Sequence, residues 1–125
     1  MSVVVVDTSV WIDDLRGGDR SAGLASLLEH GFVFLHPWSL YEIGLGGVSS
    51  EQWDLLQSLP SPDVQDDAAV WRFVQRHGLV GKGIGWVDVA VLAAAQVSGM
   101  ALWTLDEPLA AAARKVKLPK VRIPR

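Results

Sequence analysis

Apolar positions fall along this chain in a few short unbroken runs, separated by longer stretches with helical periodicity. Residues 3–6 are four consecutive valines with no charge and no turn former. Such a run is too short to cross a membrane and reads as a central strand buried on both faces, as in a parallel sheet. Asp7 follows at once, and Thr8 and Ser9 offer capping side chains to a helix over VWIDDLR, which Gly17 and Gly18 end. Asp19 or Ser21 caps a second helix, with Leu24, Leu27 and Leu28 on one face and Gly31 closing it. FVFLH (Phe32 to His36) is a second strand, and Pro37 suits the first turn of the helix PWSLYEIGLGG.

Ser49 and Gln52 make a capping-box pattern for SSEQWDLLQSL, which Pro60 and Pro62 terminate. An amphipathic helix runs from Asp66 or Asp67 to His77, with Val70, Phe73 and Val74 on one side. Gly78 to Gly85 contains four glycines and reads as a flexible loop. WVDVAVLAAAQVSG is then a nearly all-apolar helix stopped by Gly99. MALWTL (Met100 to Leu105) is the third clear strand; Asp106 follows it, and Glu107 and Pro108 open a last helix, LAAAARKV. Lys120 to Ile123 suggests a short final strand. The alternation predicts an α/β fold, three layers α/β/α around a central parallel sheet of four to five strands, in a single domain over residues 1–125.

Composition narrows the chemistry. The 125 residues are 50% apolar and include no cysteine, which excludes disulfides and thiolate metal sites. No spanning run and no basic leader precede a cleavage pattern, so a soluble, cytoplasmic protein without a membrane partner is expected. Net charge is −3, yet Arg114, Lys115, Lys117, Lys120, Arg122 and Arg125, six of the eleven basic residues, lie in the last twelve positions. They form either a local cationic surface for phosphates or ordinary helix C-terminal charge with a solvated tail. Lys82 stands in a glycine-rich loop, but no strand and Gly-Lys-Ser/Thr pattern surrounds it, so a P-loop is a poor reading.

Four acids stand at strand ends or among apolar neighbours: Asp7, Glu42, Asp88 and Asp106. Asp7 and Asp106 each follow a buried strand, and parallel strands end on the same sheet edge, where ligands bind in open α/β folds. Two unit charges ~5 Å apart at an effective dielectric of ~20 repel by roughly 3 kcal/mol, so converging acids need protons or cations. Oxygen-only ligands favour a hard divalent ion, Mg²⁺ or Mn²⁺, suited to phosphodiester chemistry. The alternative is four unrelated acids used as caps or surface charges. His30, His36 and His77 sit at element ends and read as structural.

VVDTSVWIDDLRG, YEIG, WVDVAVLAAA and LWTLDEPL, in this order over nearly the whole chain, resemble a PIN domain, and more narrowly the VapC toxins of bacterial toxin–antitoxin pairs. The resemblance implies that Asp7, Glu42, Asp88 and Asp106 are the catalytic, metal-holding acids. It also implies that Thr8, Ser9 and Thr104 are supporting hydroxyls. It further implies a Mg²⁺-dependent endoribonuclease (Mn²⁺ substituting) that cuts structured RNA such as tRNA or rRNA, and a homodimer blocked by a VapB-like antitoxin. Lys82, Arg114, Lys115, Lys117 and Lys120 are then candidates for RNA contacts. GKGIGW beside Asp88 either shapes the substrate groove or is a connector. Trp11, Trp71 and Trp103 sit in apolar patterns and read as core, whereas Trp38, Trp53 and Trp86 are open to core, dimer or antitoxin contacts. Two other readings stand beside this one. A haloacid-dehalogenase-type phosphatase would need a second Asp where Ser9 stands. A PIN-like module that only binds RNA or protein would not need the acids.

Overall fold

The computed structural model describes residues 3–124. A parallel three-stranded sheet lies at its centre: β1 (Val4–Val6) is flanked by β2 (Val33–Phe34) and β3 (Ala101–Trp103) in the order β2-β1-β3. Register pairs Val4 with both Val33 and Ala101, and Val5 with Phe34 and Leu102. Successive strand side chains point to opposite faces, and β1 uses both. Val5 packs with α5 (Asp67–Arg76), α6 (Trp86–Ser98) and α7 (Glu107–Lys115). Val4 and Val6 pack with α1 (Thr8–Leu15), α2 (Leu24–Glu29), α3 (Pro37–Leu45) and α4 (Ser50–Ser58). The valine run therefore sits between two cores, which makes the three α/β/α layers. Among the described residues no helix is long and apolar enough to cross a membrane.

The sheet has three strands among the described residues, fewer than the four to five expected. Lys120 to Ile123 is irregular. Pro119 and Pro124 flank it without backbone donors, and Ile123 is drawn across to α2, where it fills the space beside Gly23. Ser26 Oγ donates to the Pro124 carbonyl at 3.3 Å. The outer edge of β3 consequently faces a cavity of about 230 Å³ bounded by Leu118, Pro119 and Val121. Arg125 lies outside the described residues.

Several caps follow their sequence signals. Ser49 and Gln52 form the reciprocal capping box of α4, Asp66 caps α5, and Pro37 is the first residue of α3. Gly99 ends α6 in the left-handed region at φ 67°, a conformation that favours glycine. Two caps differ. Thr8 and Ser9 do not precede α1; Asp7 does, and its carboxylate accepts the Ser9 N–H. The cap of α2 is Gly23 at φ 97°, with Asp19 and Ser21 in the preceding turns. Trp71, expected in the core, is 49% exposed. The stripe Val70–Phe73–Val74 faces inward, and a residue one step off that stripe turns about 100° away from it. Trp11 is buried and Trp103 partly so.

Candidate active site

The C-terminal edge of β1 and β3 carries the site. The Asp7 N–H donates to the Trp103 carbonyl at 2.9 Å, which extends the strand pairing to the last residue before the turn. Asp7 is 3% exposed, and its two carboxylate oxygens have different fates. Oδ2 accepts from Ser9 Oγ at 2.7 Å, from Thr104 Oγ1 at 2.8 Å and from the Ser9 N–H at 3.3 Å. Oδ1 is buried and has no hydrogen-bond partner among the described residues.

The Ser9 and Thr104 hydroxyls have one proton each, and both are committed to Asp7. Each also accepts a backbone N–H from the chain after β3: Leu105 N–H to Ser9 Oγ at 2.9 Å, and Asp106 N–H to Thr104 Oγ1 at 3.0 Å. Ser9 and Thr104 therefore clamp the end of β3 to the end of β1. The clamp fixes Asp106, whose Oδ2 caps α7 by accepting the Leu109 N–H at 3.1 Å. Glu42 comes from α3 and is exposed; Thr8 Oγ1 donates to its Oε1 at 3.0 Å, tying the first turn of α1 to α3.

Asp88 stands in the first turn of α6, where the helix dipole favours an anion. Its carboxyl is nevertheless pushed up from 3.8 to about 6. Burial is the largest cause, followed by the charges of Asp7, Asp106 and Glu42, and the Gly85 backbone N–H offsets part of the rise. Asp88 thus lies within the field of the other three sequence-identified acids. Asp7 and Asp106 do serve as helix caps, as the alternative reading held, but they do so while facing Asp88.

Among the described residues no three His, Cys, Asp or Glu side chains form a ready-made metal shell. The chemistry of the donor set nevertheless fits a hard divalent cation: oxygen ligands only, mutual repulsion that a positive charge would relieve, and in Asp7 Oδ1 a buried acceptor lacking a donor. His36 is 1% exposed, its Nδ1 accepts the Trp38 N–H at 3.1 Å, and burial lowers its pKa, so it stays a neutral cap of α3.

The basic candidates are not one surface. Lys82 and Lys115 border one cavity beside α7, and Arg114 and Lys120 border another along β3. Arg114 pairs with Glu107 at 2.9 Å, with both side chains largely exposed. Lys117 follows the C-cap of α7 at φ 61° and is held there by its N–H to the Arg114 carbonyl. One juxtaposition escaped the sequence reading: Trp71 and Trp86, the latter 42% exposed and two residues before Asp88, flank an open depression of about 280 Å³. The signal available was the position of Trp71 off the apolar stripe of its helix.

Comparison with known proteins identifies the family of the chain. The family model described as PIN domain matches residues 4–115, a span that includes all four acids. Ribonuclease VapC32 of Mycobacterium tuberculosis, in strain CDC 1551 / Oshkosh, is 40% identical over 113 residues, 88% of this chain and 90% of the relative. The protein of the same name in strain ATCC 25618 / H37Rv matches equally. With its strands, its helix order and its acids at the sheet edge, the chain belongs to the PIN-domain family, in the VapC group.

Proposed function

We propose that this protein is the toxin of a type II toxin–antitoxin pair, a Mg²⁺-dependent endoribonuclease, with Mn²⁺ able to substitute, that hydrolyses phosphodiester bonds in tRNA or rRNA. The observation that carries the reading is the buried Asp7 carboxylate. One of its oxygens is saturated by two hydroxyls and an N–H, and the other has no donor, in the field of three further acids. A purely structural cap has no use for so much uncompensated negative charge.

In this reading Asp7, Asp88, Asp106 and Glu42 hold the cation and are the catalytic acids. When bound, a divalent cation neutralises phosphate charge and lowers the pKa of an attacking water. Ser9 and Thr104 keep Asp7 from turning, which fixes Oδ1 toward the site. Asp88, with a pKa of about 6, holds a proton in acid and releases it near neutrality, where positive charge nearby favours the release. Thr8 restrains Glu42 at the exposed rim. Lys82, Arg114, Lys115, Lys117 and Lys120 supply backbone contacts to RNA, which position the strand without reading sequence.

The same reading makes residues 1–125 a single cytoplasmic domain that forms a homodimer and is neutralised by a VapB-like antitoxin. Support for such contacts comes from α3, where Tyr41 is 61% and Leu45 91% exposed, four residues apart and so on one face of the helix. The test is incubation of total bacterial RNA with purified protein in Mg²⁺, Mn²⁺ or EDTA, beside Asp7→Asn. Discrete fragments that require both metal and Asp7 are expected. Cleavage that persists in EDTA or in Asp7→Asn would refute the four-acid mechanism. Mn²⁺ binding without cleavage of any RNA would favour a binding module.

A further inference from the structure

Close along the chain to Asp88 and Asp106, a cavity of about 270 Å³ lies between the glycine-rich loop and α7. Leu79, Ile84, Pro108 and Ala111 supply apolar walls, and Lys82 and Lys115 are the charged groups on its lining. Its position is set by the acidic site. Ile84 immediately precedes Gly85, the cap of the helix that carries Asp88, and Pro108 is two residues beyond Asp106. Two separate segments therefore run from the acids straight into the cavity walls.

Its charges are available. Among the described residues neither lysine is in an ion pair, in contrast to Arg114. Among the described residues Lys115 Nζ donates to the neutral Gly78 carbonyl alone, at 3.4 Å, a long contact that a phosphate oxygen readily replaces. The lysine stems add to the apolar lining while their ammonium groups reach outward. The volume lies below the ~300–1,000 Å³ of sites for drug-sized ligands. That suits a single flat base more than a larger group. Base pairs in a duplex cannot enter such a recess, whereas an unstacked nucleotide presents a π face to aliphatic walls and a phosphate to the lysines. An acidic peptide would gain from the lysines too, but it offers no flat face to Leu79, Ile84 and Pro108.

We infer that this cavity is a subsite for one unpaired nucleotide of the substrate strand, its base against Leu79, Ile84, Pro108 and Ala111 and its phosphate between Lys82 and Lys115. The subsite rests on the nuclease reading above and adds to it the place where one nucleotide of the strand is held.

The experiment uses the full chain in three forms: wild type, Ala111→Leu, which fills the cavity without changing charge and at small cost in helix propensity, and Lys115→Ala. Adenosine 5′-monophosphate and inorganic phosphate are titrated separately while backbone amides are followed by NMR. Affinity for a labelled short single-stranded RNA is measured in EDTA, and cleavage of that RNA in Mg²⁺. The nucleotide should shift the amides of Leu79, Ile84 and Ala111, and phosphate alone should do so far more weakly. Ala111→Leu should weaken RNA binding about tenfold, the loss of one stacked base, and raise KM with kcat unchanged. Lys115→Ala should flatten the salt dependence by about 0.7 of a log unit per log unit of salt.

Absence of nucleotide shifts at those amides would overturn the subsite. So would Ala111→Leu leaving RNA affinity unchanged, even if Lys115→Ala lowers it, because that pattern is phosphate contact without a base. Binding of a poly-glutamate probe in place of the nucleotide would overturn it as well. Metal-dependent cleavage with a silent Ala111→Leu removes the subsite and leaves the nuclease standing. Nucleotide shifts at the cavity without cleavage of any RNA support the subsite and remove the nuclease.

Discussion

Replacing Asp88 by Asn should stabilise the metal-free protein, and the gain should depend on pH in one direction only. In the folded chain Asp88 titrates at about 6 against an ordinary 3.8, chiefly through burial and then through Asp7, Asp106 and Glu42. A folded pKa above the unfolded one means that the native state binds the proton more tightly. That contribution to stability is fully present below about pH 3.8 and is lost as pH rises through about 6. Above pH 7 the wild type therefore carries a penalty that Asn, with the same shape and no charge, does not. Transmitted in full, a rise from 3.8 to about 6 corresponds to about 3 kcal/mol. Asp88 is only partly buried, and solvent screening reduces this to about 1–2 kcal/mol.

The assay is urea denaturation of both proteins in EDTA from pH 4 to pH 8, with thermal melts beside it, where each kcal/mol moves Tm by about 4 °C. At pH 8 the variant should unfold at higher urea, and near pH 4 the two curves should coincide. Saturating Mg²⁺ should raise the wild type more than the variant, because the cation removes the repulsion that Asn has already removed. A variant no more stable than wild type at pH 8 would refute the argument. So would a gain that is the same at pH 4 and pH 8, since it would then have nothing to do with ionisation.

Further outcomes follow from the clamp and the C-terminus of α7. Ser9→Ala removes one donor to Asp7 Oδ2 and the acceptor of the Leu105 N–H. It should cost about 1–3 kcal/mol in urea denaturation and lower kcat by letting Asp7 turn; an unchanged midpoint would mean that the clamp is not needed to join β1 to β3. Lys117→Gly relieves a left-handed residue at φ 61° and should stabilise by about 0.5–1 kcal/mol, read as a higher Tm. A lower Tm would show that the lysine makes contacts that outweigh its backbone strain.

Much of this molecule was legible without coordinates because the signals were local. The capping box at Ser49, proline at the start of α3 and glycine at the end of α6 depend only on neighbouring backbone groups, and each stands where its pattern put it. Four valines flanked by an aspartate required a strand buried on both faces, and the residue after it had to emerge at the sheet edge. The same rule applied to Asp106, and two acids at one edge made a site one of two readings, helix caps being the other.

What the sequence could not determine was anything set by segments meeting across the fold. Whether Lys120 to Ile123 adds a strand depended on competition between the edge of β3 and the surface of α2, and packing at Gly23 won. The division of the basic tail into two patches follows from where α7 lies against β3 and the glycine loop, which no charge count contains. Sequence named Ser9 and Thr104 as helpers, but only the tertiary structure shows both hydroxyl protons committed to one oxygen of Asp7, leaving the other bare. Local pattern chooses elements because its energies act within a turn or a strand; the site is made by hydrogen bonds and charges between residues as many as 97 positions apart.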